Sequence, residues 1–352
     1  MRVDAVAENL LAWYDKHRRR LPWRAEPGAP PTEPYRVWLS EIMLQQTTVA
    51  AVKPYFERFT TRWPTVADLA AADDADVMAA WAGLGYYARA RNLIACARTV
   101  SGEHGGRFPD SEAALRALPG LGDYSAAAVA AIAFGRRAVV VDANVERVVS
   151  RLFAFAEPLP QARPALRRLV DSITPDERAG DFAQAMMDLG SGICGVRAPQ
   201  CLICPLSAGC AAREIGTPES WPVKAAKRAK PQRRGTAYWI EHDGRVWLIR
   251  RPAKGLLGGM RALPTGPWHD DDDPGVDEAP VTADWRDAGT VAHVFTHFAL
   301  DLRVMTTMLA HGSGDGEWWP IDRIGEAGLP TLFARAASRA IANRDPHWRD
   351  DG

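Results

Sequence analysis

The chain has 352 residues, 47% hydrophobic and 24% charged, which suits two domains with their own cores and excludes a disordered or fibrous protein. No apolar run nears the roughly 18 residues of a spanning helix, and Asp4 and Glu8 interrupt the start where a secretory signal would be apolar, so a cytoplasmic, nucleoid-associated protein with no membrane role is expected. The net charge is zero, yet residues 1–234 carry 31 basic against 25 acidic side chains and residues 235–352 carry 12 against 18, so any phosphate-binding surface belongs to the first part.

Residues 1–20 predict an amphipathic helix with Val6, Leu10, Trp13 and Tyr14 on one face, followed by LPWR (Leu21 to Arg24) and a Pro-rich loop. From Tyr35 the pattern is helical until Pro54, where a break or kink is expected. Glu41 stands among Val37, Trp38, Leu44 and Gln45, its neighbours one turn away. Closed over by a substrate, that face would desolvate the carboxyl and raise its pKa, as a general acid requires; the plain alternative is a solvated helix glutamate. Helices follow at 66–72, 74–82 and 87–100. Between the last two, Leu84, Tyr86 and Tyr87 sit in a glycine-flanked turn just before Arg89 and Arg91, a combination that either wedges into a base stack or packs helices. Cys96 lies in an apolar helix and reads as core.

Residues 118–145, LPGLGDYSAAAVAAIAFGRRAVVVDANV, organise the chain. A glycine-rich turn joins helical patterns at 111–118 and 123–134, the second closed by Gly135: a helix-hairpin-helix over 111–134. Its turn should present backbone N–H groups of Leu121 and Gly122 to a phosphate, with Gly120 and Gly122 letting the backbone approach. Asp142 follows, before a helix at 143–153. It reads as an N-cap, and a helix N-terminus also favours a carboxylate that must stabilise a cation.

After helices at 162–173 and 181–189, Cys194, Cys201, Cys204 and Cys210 cluster as C-x6-C-x2-C-x5-C. Such spacing indicates a metal site rather than disulfides; four thiolates suit a [4Fe-4S] cluster, with four-cysteine zinc as the alternative. Residues 219–234 are basic and aperiodic, a linker that divides a mostly α region (1–218) from an α+β domain (235–352). In the latter, 236–251 reads as a hairpin turning at Asp243 and Gly244, 291–309 as strand, 332–342 as helix and 269–278 as an acidic loop.

The motifs SEIMLQQT, LPGLGDYSA, VDANVERV and the four-cysteine loop resemble those of adenine DNA glycosylases of the MutY type, within the endonuclease III helix-hairpin-helix superfamily. The resemblance covers roughly residues 8–215 closely. It implies base excision repair: a monofunctional enzyme, acting as a monomer, that hydrolyses the N-glycosidic bond of adenine mispaired with 8-oxoguanine or guanine in double-stranded DNA. Tyr124 occupies the position of the lysine nucleophile of lyase relatives, so efficient strand cutting is not expected. By the same resemblance Glu41 is the general acid, Asp142 stabilises the sugar cation, and Tyr124 and Asn144 support the pair. Trp23, Arg24 and Leu44 would line the adenine pocket, with Gln46, Leu84 and Tyr86 filling the stack. The cysteine loop would hold one [4Fe-4S] cluster, with Arg197 and Arg213 near phosphates. The C-terminal domain resembles a Nudix-like domain lacking the metal-binding glutamates. It should therefore bind rather than hydrolyse, with Phe295, Thr296 and His297 reading 8-oxoguanine. Two departures stand beside the site: Ala143 should deny the backbone a positive φ, and Asp123 puts a negative charge beside the phosphate clamp unless it caps the helix. Alternatives of other kinds are removal of thymine or uracil opposite guanine, a nucleotide hydrolase tethered to DNA, and a non-catalytic iron-sulfur DNA-binding protein.

Overall fold

The structure, a computed structural model, describes residues 3–25, 30–225, 230–252, 255–270, 279–295, 297–309 and 315–344. The chain divides into two compact units, 1–226 and 227–352. Among the described residues no helix is long and apolar enough to cross a membrane.

The first unit is helical: α1 (Val3–His17), α2 (Pro34–Leu44), α3 (Val49–Arg62), α4 (Val66–Ala71), α5 (Asp74–Trp81), α6 (Ala88–Glu103), α7 (Glu112–Arg116), α8 (Asp123–Phe134), α9 (Ala143–Leu152), α10 (Arg163–Ile173), α11 (Ala179–Gly192) and α12 (Ala211–Ile215). At its centre α8 buries Ser125 to Ala131 and Ala133. A helix apolar all round must be enclosed, and its alanines let α2, α7 and α11 pack close. Val6, Leu10 and Tyr14 of α1 are buried, as the amphipathic pattern requires, and Cys96 is fully buried.

The break expected at Pro54 lies upstream, at Gln45–Thr48, and Pro54 sits inside α3. Arg89 explains this: its guanidinium donates to the carbonyls of Ile42, Met43 and Gln45, so the end of α2 is satisfied without another turn. Gln46 then adopts φ 56°, and Thr48 caps α3 by accepting from the Ala51 N–H.

The second unit contains β1 (Gln232–His242), β2 (Arg245–Arg250), β3 (Arg261–Ala262), β4 (Arg286–Val294), β5 (Ala299–Met308), β6 (Gly316–Pro320) and α13 (Thr331–Ala342). The sheet order is β3-β2-β1-β5-β4, with β6 also paired to β2 and β1 parallel to β5. α13 packs on β4 and β5, burying Leu332, Phe333, Ala336 and Ala337. The turn at Asp243 (φ 44°) and Gly244 (φ 68°) has the two left-handed residues of a type I′ hairpin. The expected single strand over 291–309 is two antiparallel strands, Val294 pairing with Ala299. Nineteen residues in one strand would overrun a sheet of this size, and the reversal puts Phe295 and His297 on a turn. β1 begins at Gln232, inside the stretch read as linker. Of the acidic stretch, 271–278 lies outside the described residues.

Candidate active site

Glu41 lies in the middle of α2, where every residue from Val37 to Met43 is buried. Glu41 is 5% exposed, so its desolvation does not wait for a substrate as the helix pattern suggested. Burial pushes its pKa up to about 7; the Tyr124 hydrogen bond and the Arg24 charge pull down, and the Asp142 charge pushes up. The Tyr124 hydroxyl donates to Glu41 Oε2 at 2.7 Å. Burial, and then the nearby carboxylates, hold that hydroxyl well above its ordinary range, so it remains a donor.

Asp142 caps α9, Oδ1 accepting from the Val145 N–H at 2.7 Å and Oδ2 from Asn144 Nδ2 at 2.7 Å. Asn144 is held in turn: its Oδ1 accepts from Arg147 Nη2 at 2.9 Å, and Gly190 of α11 lies against it with no room for a Cβ. Ala143, expected to deny a positive φ, is the first helical residue of α9 and needs none. Glu41, Asp142, Tyr124 and Asn144 line one cavity of about 720 Å³ together with Trp23, Arg24, Leu44 and Gln46. Sequence reasoning missed Asp188, which binds Arg24; an acidic residue inside the apolar run AMMDLG was the available signal.

The hairpin differs in detail from its sequence reading. Gly120 adopts φ 77°, and a Cβ there would meet Asn92 Cβ at 2.6 Å; a side chain at Gly122 would enter open space. The Leu121 N–H is engaged by the Leu118 carbonyl and its side chain is buried, so the N–H groups open at this turn are those of the first residues of α8. Gly122 is the N-cap, so Asp123 does not cap; it pairs with Arg116 at 3.0 Å instead. Of the expected wedge residues, Leu84 is buried at 7% exposure, which withdraws its side chain from the surface, while Tyr86 is 62% exposed at φ 50° and Gln46 is exposed.

Cys194, Cys201, Cys204 and Cys210 are free of disulfides and line one small cavity with Arg151 and Arg213. Among the described residues no group of three or more His, Cys, Asp or Glu side chains is arranged to hold a metal ion. Arg151 Nη1 donates to Cys194 Sγ at 3.2 Å. Burial pushes the Cys204 thiol up to about 11, against a backbone N–H from Leu206, and burial likewise raises Cys210, against N–H groups of Arg213 and Ala212. Arg197 is exposed; Arg213 donates to the Ser207 carbonyl at 3.0 Å.

In the second unit Phe295 packs half-buried against Trp268, Phe298 and His293, its carbonyl accepting from Lys230 Nζ at 2.6 Å. His297 is exposed, and Thr296 lies outside the described residues.

A hairpin between helices, beside one cavity lined by a buried carboxylic acid and a capping carboxylate, defines the class as a helix-hairpin-helix protein. Residues 39–172 match the HhH-GPD superfamily of base excision DNA repair proteins, and residues 235–339 match a NUDIX domain. The adenine DNA glycosylase of Mycolicibacterium smegmatis is 41% identical over 62% of this chain and 73% of its own length. That of Homo sapiens is 34% identical over 86% of this chain, which spans 66% of the human protein. The solved structure of a thermostable thymine-DNA glycosylase is 32% identical with a TM-score of 0.55, covering 60% of this chain and 97% of that one. The chain belongs to the adenine DNA glycosylase family.

Proposed function

We propose that the protein releases adenine from A:8-oxoguanine and A:G mispairs in double-stranded DNA by hydrolysing the N-glycosidic bond, without efficient strand cutting. The observation that carries the reading is a buried Glu41, its pKa pushed up to about 7, lining the same cavity as Asp142. In this reading Glu41 gives its proton to N7 of the extruded adenine. The C1′–N9 bond breaks with its electron pair passing to the base. Asp142 stabilises the oxocarbenium-like sugar, water adds at C1′, and the proton it sheds returns to Glu41. Trp23, Arg24 and Leu44 wall the base, while Gln46 and Tyr86 fill the stack it leaves. Tyr124 offers no amine for a Schiff base.

The four cysteines fit a [4Fe-4S] cluster: they converge on one cavity, and Arg151 and the backbone N–H groups supply the donors that ligating thiolates favour. Bound there, it would order residues 194–210. In the C-terminal unit, Phe295 to His297 read 8-oxoguanine, and the protein works as a monomer.

Incubation with A:8-oxoguanine, A:G, T:G and U:G duplexes, with and without alkali, tests the reaction. Alkali-dependent cleavage confined to the adenine strands is expected. Release of thymine, the base named for the related glycosylase structure, would overturn the substrate. Four irons with acid-labile sulfide per chain are expected on elemental analysis, and one zinc would overturn the cluster.

A further inference from the structure

We propose that Asp188 is a positioning residue of the base pocket, the counter-ion that fixes Arg24 as a wall beside Glu41 and offsets part of the guanidinium's charge there. The inference rests on the activity proposed above. Asp188 lies in α11, 3% exposed, and accepts from Arg24 Nη1 at 2.7 Å and Nη2 at 2.9 Å, from Arg19 Nε at 2.5 Å and from the Arg19 backbone N–H at 3.0 Å. Burial pushes its pKa up, but the hydrogen bond and charge of Arg24 and the donors of Arg19 outweigh this and hold it below the ordinary value. The two-pronged bond leaves the guanidinium plane one orientation, and Arg24 and Arg19 line the same cavity as Glu41.

A buried pair that served stability alone could be replaced by apolar residues at little cost. This one stands where its cation is felt by the acid: Arg24 lowers the Glu41 pKa, and Glu41 raises that of Arg24. The other charged or titratable groups on the cavity are Arg19 before α2, Asp123 and Tyr124 at the start of α8, and Asp142 at the head of α9. With the Asp188 carboxylate in place, Arg24 contributes shape and hydrogen-bonding edge, and part of its charge is offset. Without it, a full positive charge faces a group that must be protonated, and the protonated fraction falls.

The test is single-turnover adenine release against pH for the parent, Asp188→Asn, Arg24→Met and the double variant. Asp188→Asn should move the alkaline limb of the profile to lower pH by about one unit. The double variant, with no charge at either position, should return the limb toward the parent. If Asp188→Asn fails to fold, the comparison is Arg24→Met against the double variant, where loss of the carboxylate should again move the limb to acid. A limb unmoved by loss of the carboxylate in a folded background overturns the proposal. A parent that releases no adenine overturns the activity beneath it, whereas adenine release with an unmoved limb leaves that activity standing.

Discussion

The Tyr124 hydroxyl and the Glu41 carboxyl, 83 residues apart in the chain, share a 2.7 Å hydrogen bond that the hydroxyl donates. Burial raises the acid, and this bond moderates the rise by favouring its ionised form. Base release should therefore decline as pH climbs through about 7, where Glu41 deprotonates. Tyr124→Phe should shift that decline to higher pH, and a pH-rate profile reads it; a shift to lower pH contradicts the assignment. Glu41→Gln should abolish release while retaining affinity for the duplex.

The same group sets a stability trend. Its folded pKa lies above the ordinary value of 4.5, so its contribution is fully present below about 4.5 and is lost as pH rises to about 7. Thermal melts should show a loss of up to about 3 kcal/mol over that window, flat above it, from this group. Glu41→Gln should remove this component and be the more stable protein at pH 8.

Asp142 combines a cap with a charge, and Asn separates them. Asn caps helices as well as Asp does, so Asp142→Asn should melt within about 1 kcal/mol of the parent. Loss of the charge beside the developing sugar cation should lower the single-turnover rate at least about a hundredfold. A variant with parental rate would remove Asp142 from the chemistry.

Gly190→Ala tests the support behind that carboxylate. The new Cβ would stand 2.5 Å from Asn144 Cβ, whereas a Cβ at Gly192 meets nothing within 4 Å. Gly190→Ala should cost about 1–3 kcal/mol and displace Asn144 from Asp142, slowing release roughly tenfold or more; Gly192→Ala should do neither.

Arg89 ties together the two loops that expose Gln46 and Tyr86. It donates to the carbonyls of Ile42, Met43, Gln45, Leu84 and Gly85 and to Thr47 Oγ1, while Gln46 and Tyr86 hold positive φ. Arg89→Met should free both loops, slowing release from a paired adenine more than from an adenine opposite an abasic site, which is cheaper to extrude. Equal slowing on both would assign Arg89 to the fold alone.

What the sequence determined by itself was local. The hairpin, α8 closed by Gly135, the Asp142 cap and the Asp243–Gly244 turn are each written in residues within a few positions of one another, where propensity and hydrogen bonding decide. Family motifs added the roles proposed for Glu41 and Asp142. Tertiary structure decided what depends on distant neighbours: the break at Gln46 instead of Pro54, fixed by a guanidinium from α6; the burial of Leu84; the reversal between β4 and β5; and the Asp188 pair behind Arg24. Above all it decided the state of the acid. Desolvation is a property of everything packed around a carboxyl, so the residues flanking Glu41 in α2 show that it can be buried, and only the elements packed against α2 make it so.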